Sequence, residues 1–160
     1  MSTDNTSDIA RFDFDVDDAY LLTFEVGKGV YRWRDYLSVE LQTQVGRYFG
    51  RQSNVEWTAA VIGRWEKFPW DHAVDTSFAF GMGPSVASQT PTLEDERRGA
   101  DEGAQQVLNF VLVEFDFALP SAPEWALATR FHHRSGVFGL FGAGEGSSAF
   151  LLGLRYRFGE

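Results

Sequence analysis

At 160 residues, with 15 Phe, 5 Trp and a formal net charge of −9, the chain is long enough for one barrel or sandwich and too short for two cores. The acidic balance and the lack of any Lys/Arg cluster exclude a phosphate-gripping surface, and with it nucleic acid as a partner. With no Cys, and with His at positions 72, 132 and 133 alone, no metal site and no cofactor are expected.

Residues 1–9 are polar and acidic and read as a flexible tail. The opening MSTDNTSDIA has no basic n-region and no apolar h-region, so either a signal peptide has been removed, with a new Met supplied, or the protein is not exported. Residues 10–158 then read as a single β domain. Phe12, Phe14 and Val16 alternate with Arg11, Asp13 and Asp15 as a short first strand, and Asp17-Asp18 offers a tight turn. In 19–30, Tyr20, Leu22, Phe24 and Val26 share one face, opposite Ala19, Thr23 and Glu25, before a polar turn around Arg32–Asp35.

From there the alternation is plain. Leu37, Val39, Leu41, Thr43 and Val45 oppose Ser38, Glu40, Gln42 and Gln44 in 36–49; Val55, Trp57, Ala59, Val61 and Trp65 oppose Glu56, Thr58, Arg64 and Glu66 in 53–66. In 74–87, Val74, Thr76, Phe78, Phe80 and Met82 face away from Asp75, Ser77, Ala79, Gly81 and Gly83. In 104–119, Val107, Val111, Val113, Phe115 and Phe117 oppose Glu114 and Asp116, while Phe110 and Leu112 fall on the polar side. Trp125, Leu127, Thr129 and Phe131 form the next apolar row, and Phe150, Leu152, Leu154, Tyr156 and Phe158 oppose Gly153, Arg155 and Arg157 in the last strand, 148–158. Each strand is about the 9–11 residues that cross a bilayer at a tilt, whereas no run of about 18 apolar residues could form a membrane helix.

These segments predict an all-β fold, an eight-stranded antiparallel up-and-down transmembrane β-barrel with its apolar rows outside. The connections 31–35, 67–73 and 119–123 would share one end, and 17–18, 50–52, 88–103 and 136–147 the other. The longer loops mark the second end as external, and Trp33, Trp65, Trp70 and Trp125 gather at the first as an interfacial girdle. A soluble lipocalin-like barrel binding an apolar ligand fits the same periodicity with every face inverted, so that Leu37, Val39, Leu41, Val55, Trp57 and Val61 would line a cavity.

The candidate chemistry lies at the external end. The apolar row Trp125 to Phe131 continues into His133 and Ser135, which a strand places side by side, a base next to a nucleophile on an apolar surface. Read blandly, a strand end at a membrane interface simply carries polar residues. His132 and Arg134 point to the other face with Arg130; they read either as a basic rim gripping a phosphorylated sugar or, as favoured here, as interior partners of Glu40, Glu56, Glu114 and Asp116. Arg155 and Arg157 read the same way. His72 reads as a turn residue, and Glu94, Asp95 and Glu96 as a solvated loop.

The His-x-Ser strand end, the glycine-rich loop after it and a last strand closing on Arg-Tyr-Arg-Phe resemble the lipid A 3-O-deacylase (PagL-like), or acyloxyacyl hydrolase, family of outer-membrane β-barrels. The resemblance is concentrated in the last 35 or so residues, with 19–158 fitting more loosely in strand rhythm. In that family the motif is His-x-Ser-Asn, with a Glu on the last strand orienting the His. Here His133 and Ser135 match, Gly136 stands where the Asn would be, and Ser148 stands near the Glu position. The resemblance implies an ester hydrolase of the bacterial outer membrane, acting on lipid A or lipopolysaccharide among the membrane lipids, with a homodimer as a further assembly to consider. Ser135 would be the nucleophile, His133 the base and the Gly136 amide an oxyanion donor, with Glu145 as the orienting acid or Ser148 in its place. Outer-membrane phospholipase A is similar in using His-x-Ser with an uncharged third member, although its barrel is larger than this chain can build. A non-enzymatic small barrel whose site has decayed is the alternative.

Overall fold

In the computed structural model, which describes residues 19–90, 105–136 and 147–158, the alternating segments form seven antiparallel strands. They are β1 (Ala19–Trp33), β2 (Leu37–Gly50), β3 (Val55–Trp65), β4 (Asp75–Ala87), β5 (Val107–Leu119), β6 (Ala122–Ser135) and β7 (Ser147–Tyr156). Each pairs with its neighbour in sequence, which is up-and-down topology. Residues 1–18, with the expected first strand and the tail, lie outside the described residues, as do Glu94, Asp95, Glu96 and Glu145.

The sheet is curled, because side chains from its far ends meet. Arg130 on β6 donates to Glu25 on β1, and Arg155 on β7 donates to Glu40 on β2 at 2.9 Å. What faces inward settles the choice between membrane and soluble barrels. Ser38, Glu40, Gln42, Gln44, Glu56 and Arg64 are buried, while Leu41, Trp57 and Val61 are about half exposed at 50%, 48% and 56%. The lipocalin-like alternative requires the reverse and is overturned. Apolar rows outside and charges inside are the arrangement of a barrel solvated by lipid.

The lumen is filled rather than hollowed at its charged level. Arg64 donates to Glu40 at 2.8 Å, Glu114 at 2.7 Å, Asp116 at 2.6 Å and the Ser77 hydroxyl at 2.8 Å. Arg155 reaches Asp116 at 3.1 Å, and Arg130 bridges Glu114 and Glu25. His132 lies 3.4 Å from Glu56, whose carboxylate also accepts from Tyr48 and Ser85. These contacts bear out interior pairing for Arg130, His132 and Arg155. Two expected members differ: Arg134 donates to Ser85 and to the carbonyls of Gln105 and Gln106, and Arg157 pairs with Asp75 at the lower end. Glu25 joins the network from β1. Phe110 and Leu112, which break the polar pattern of β5, pack with Ala60, Ile62 and Ala79 as an apolar layer within the lumen. Beside this layer the β3 main chain comes so close to Gly83 that an added Cβ would lie 2.0 Å from the Ala59 carbonyl oxygen.

β1 runs three residues further than the expected boundary. A register shift between Gly29 and Tyr31 inserts Val30 and reverses the alternation, so Tyr31 and Trp33 rather than their even-numbered neighbours join the outer face. With Trp65, Trp70, Trp125 and Tyr156 they form the expected aromatic girdle at that end. Tyr20, Phe49 and Trp57 supply aromatic side chains toward the opposite end.

Candidate active site

β6 carries the site because its alternation never slips between Ala126 and Ser135. Ala126, Ala128, Arg130, His132 and Arg134 are buried in the lumen, and Trp125, Leu127, Thr129, Phe131, His133 and Ser135 point outward. His133 and Ser135 are half-buried at the upper end of this row, and Gly136, directly after Ser135, is buried. The two-residue spacing therefore places His133 and Ser135 on one face, as read from the sequence.

Pairing with the neighbouring strands completes the surroundings. On the β7 side, His133 stands opposite Ser148, and its Nδ1 lies 2.9 Å from the Ser148 Oγ. Ser148 is buried, so this contact is shielded from solvent. No hydrogen bond joins His133 to Ser135 among the described residues; the imidazole's bond goes across the ladder to β7. Below it the Phe131 ring lies parallel to the imidazole at 6.0 Å between centroids, and Phe150 packs on Phe131 at 5.1 Å. The ring is thus held on two sides, by a hydroxyl at Nδ1 and by an aromatic step beneath.

On the β5 side, His133 stands opposite Val111 and Ser135 opposite Asn109. Asn109 is the member of this cluster that sequence reading missed. It interrupts the outward row Val107, Val111, Val113, and that single amide in an apolar row was the available signal. Only the register could show that it faces Ser135. Glu145, the candidate orienting acid, lies outside the described residues, whereas Ser148, its alternative, touches the imidazole.

No family model matches the chain, and no curated protein matches it. Among solved structures, the crystal structure of the outer membrane enzyme PagL superposes with a TM-score of 0.61 over 88% of this chain and 90% of that chain, at 14% identity. The fold is that of PagL. PagL is an eight-stranded barrel, one strand more than the seven described here. At 14% identity the likeness to PagL speaks for the architecture, and the chemistry has to be argued from the side chains themselves.

Proposed function

We propose that this protein is an outer-membrane esterase that removes an ester-linked acyl chain from lipid A on the outside of its barrel. The observation that carries the reading is the Nδ1 contact of His133 with Ser148 at 2.9 Å, which leaves Nε2 for the hydroxyl of Ser135, two residues on along the same face. With a proton on Nδ1 donated to the Ser148 oxygen, Nε2 carries the lone pair that a general base needs. The apolar exterior and the fold shared with PagL, an outer membrane enzyme, support a substrate presented by the membrane itself.

The steps follow. Nε2 of His133 takes the Ser135 proton as the Oγ attacks the ester carbonyl carbon, giving a tetrahedral oxyanion. The Gly136 amide, next to the nucleophile in sequence, donates to that oxygen. Collapse breaks the ester C–O bond, and His133 returns the proton to the departing sugar hydroxyl. Water then attacks the acyl-Ser135 ester, its proton passing through His133 back to Ser135, and the fatty acid leaves. Phe131, Phe150 and the rows below them offer the acyl chain an apolar track continuous with the bilayer.

The test is the full chain reconstituted in vesicles containing lipopolysaccharide or phospholipid alone, with fatty-acid release followed by mass spectrometry. Release from lipopolysaccharide that disappears in Ser135→Ala supports the reading. No release from either lipid leaves the non-enzymatic barrel in its place.

A further inference from the structure

Asn109 presents an anomaly beside the nucleophile. It is 8% exposed, and its side-chain Nδ2 is buried without a hydrogen-bond partner. Leaving such a donor unsatisfied costs about 1–3 kcal/mol. Its two cross-strand neighbours are Pro84 on β4, whose ring offers no hydrogen-bonding atom, and Ser135 on β6. Directly opposed residues of an antiparallel pair hold their Cβ atoms about 4.5–5.5 Å apart on the same face. An amide with an idle N–H₂ group therefore stands against the serine.

We propose that the Asn109 side-chain amide is an oxyanion-hole donor for ester cleavage at Ser135. The inference rests on the esterase reading above and adds a residue to it from a different strand. The Asn that would follow a His-x-Ser pair is replaced here by Gly136, whose backbone amide is a single donor. Asn109 restores a second, reaching the same oxygen from β5. As Ser135 Oγ bonds to the carbonyl carbon, the C=O electron pair moves onto oxygen, and Nδ2–H donates to it. No proton is transferred to or from Asn109, and when the oxyanion collapses the amide is idle again. A donor that finds its partner only when charge develops lowers the barrier without tightening ground-state binding.

The experiment uses the full chain reconstituted in lipopolysaccharide vesicles, comparing wild type with Asn109→Ala and the near-isosteric Asn109→Leu, which keeps the size, lacks the N–H₂ and adds no charge. Folding is verified for each by heat-modifiable gel mobility, and the Leu variant carries the test if the Ala variant does not fold. The expected result is a kcat lowered about 10²–10³-fold in both variants, with KM within about threefold of wild type. Affinity for an uncleavable ether analogue of the lipid should stay unchanged. A kcat within about threefold of wild type overturns the assignment and leaves the esterase reading standing. So does a loss that appears equally in affinity for the ether analogue, which would make Asn109 a substrate-binding or structural group. A wild-type protein that releases no fatty acid overturns both readings together.

Discussion

Polar side chains occupy both faces of this sheet, and the two faces treat them differently. In the lumen, one guanidinium, that of Arg64, satisfies Glu40, Glu114, Asp116 and Ser77, and Arg155 returns to three of the same four partners or their neighbours through Glu40, Glu114 and Asp116. On the exterior, His133 makes its bond to Ser148, while the Asn109 amide nitrogen is left without a partner. Other buried atoms without a hydrogen bond among the described residues are one oxygen of Asp116, whose other oxygen pairs with Arg64, the Nε2 of His132, which lies 3.4 Å from the Glu56 carboxylate, and side-chain atoms of Gln52 and Asn54 in the β2–β3 connection. Burial of charge demands an opposite charge, and the interior gives Glu40, Glu114 and Asp116 each at least one arginine. Unspent hydrogen-bonding capacity on a face turned toward hydrocarbon has no structural return, and the proposed esterase site would give it one in the oxyanion of its substrate.

The contrast is broken most sharply at Ser135. Ser135→Ala is expected to lower fatty-acid release by at least about 10⁴-fold while leaving stability within about 0.5 kcal/mol, since an outward, half-buried hydroxyl with no interior partner contributes little to folding. Fatty-acid release and urea unfolding of the same preparation check both halves. A destabilised Ser135→Ala barrel would mean that the exterior cluster is structural after all.

Arg64→Ala should reverse the pattern. It strands Glu40, Glu114 and Asp116 with fewer donors, and breaking a buried pair costs about 3–5 kcal/mol. The folded, heat-modifiable form should be lost or should unfold at markedly lower urea. A smaller loss is expected from Glu25→Ala, about 1.5–3 kcal/mol, because Glu25 is half-buried and meets Arg130 beside another carboxylate, Glu114. If Glu25→Ala proved as damaging as Arg64→Ala by urea unfolding, the contact from β1 to β6 would matter more to closing the curl than the pairs at its centre.

How much of this was legible in the sequence follows the same division between faces. Two-residue alternation in 36–66 sorted the residues into two rows, because Glu40, Glu56 and Arg64 cannot share a row with Leu41, Trp57 and Val61 without flipping the strand. It could not say which row faced in, since a soluble barrel has the same period; the aromatic girdle and the chemistry of the last strands leaned one way, and the curled structure decided it. The bulge at Val30 was invisible because Gly29, Val30 and Tyr31 break no local rule. The site was half legible. His133 and Ser135 are neighbours by arithmetic along one strand, whereas Ser148 and Asn109 join them only through registers with β7 and β5 that no single segment encodes. Arg134 and Arg157 were assigned to the central network on parity alone, and parity does not give height along the barrel axis.

The smallest expected effect concerns what orients the imidazole, and it sharpens the comparison because it weighs one neutral bond on the exterior against the charged ones inside. A hydroxyl at Nδ1 fixes the tautomer but does not stabilise the imidazolium as a carboxylate does; a neutral hydrogen bond is worth about 1 kcal/mol, or roughly a five- to tenfold change in rate. Ser148→Ala is therefore expected to lower kcat about five- to tenfold, with KM unchanged, because the ring still rests on Phe131. Glu145→Gln is expected to stay within about twofold of wild type, since Ser148 already occupies the nitrogen that an orienting acid would need. The opposite ranking, a loss on the order of 10⁴-fold in Glu145→Gln with Ser148→Ala unaffected, is the signature of a carboxylate in the third position. Measured side by side on lipopolysaccharide vesicles, the two variants assign the partner of His133 Nδ1, and only the first ranking is compatible with a base held by a neutral neighbour.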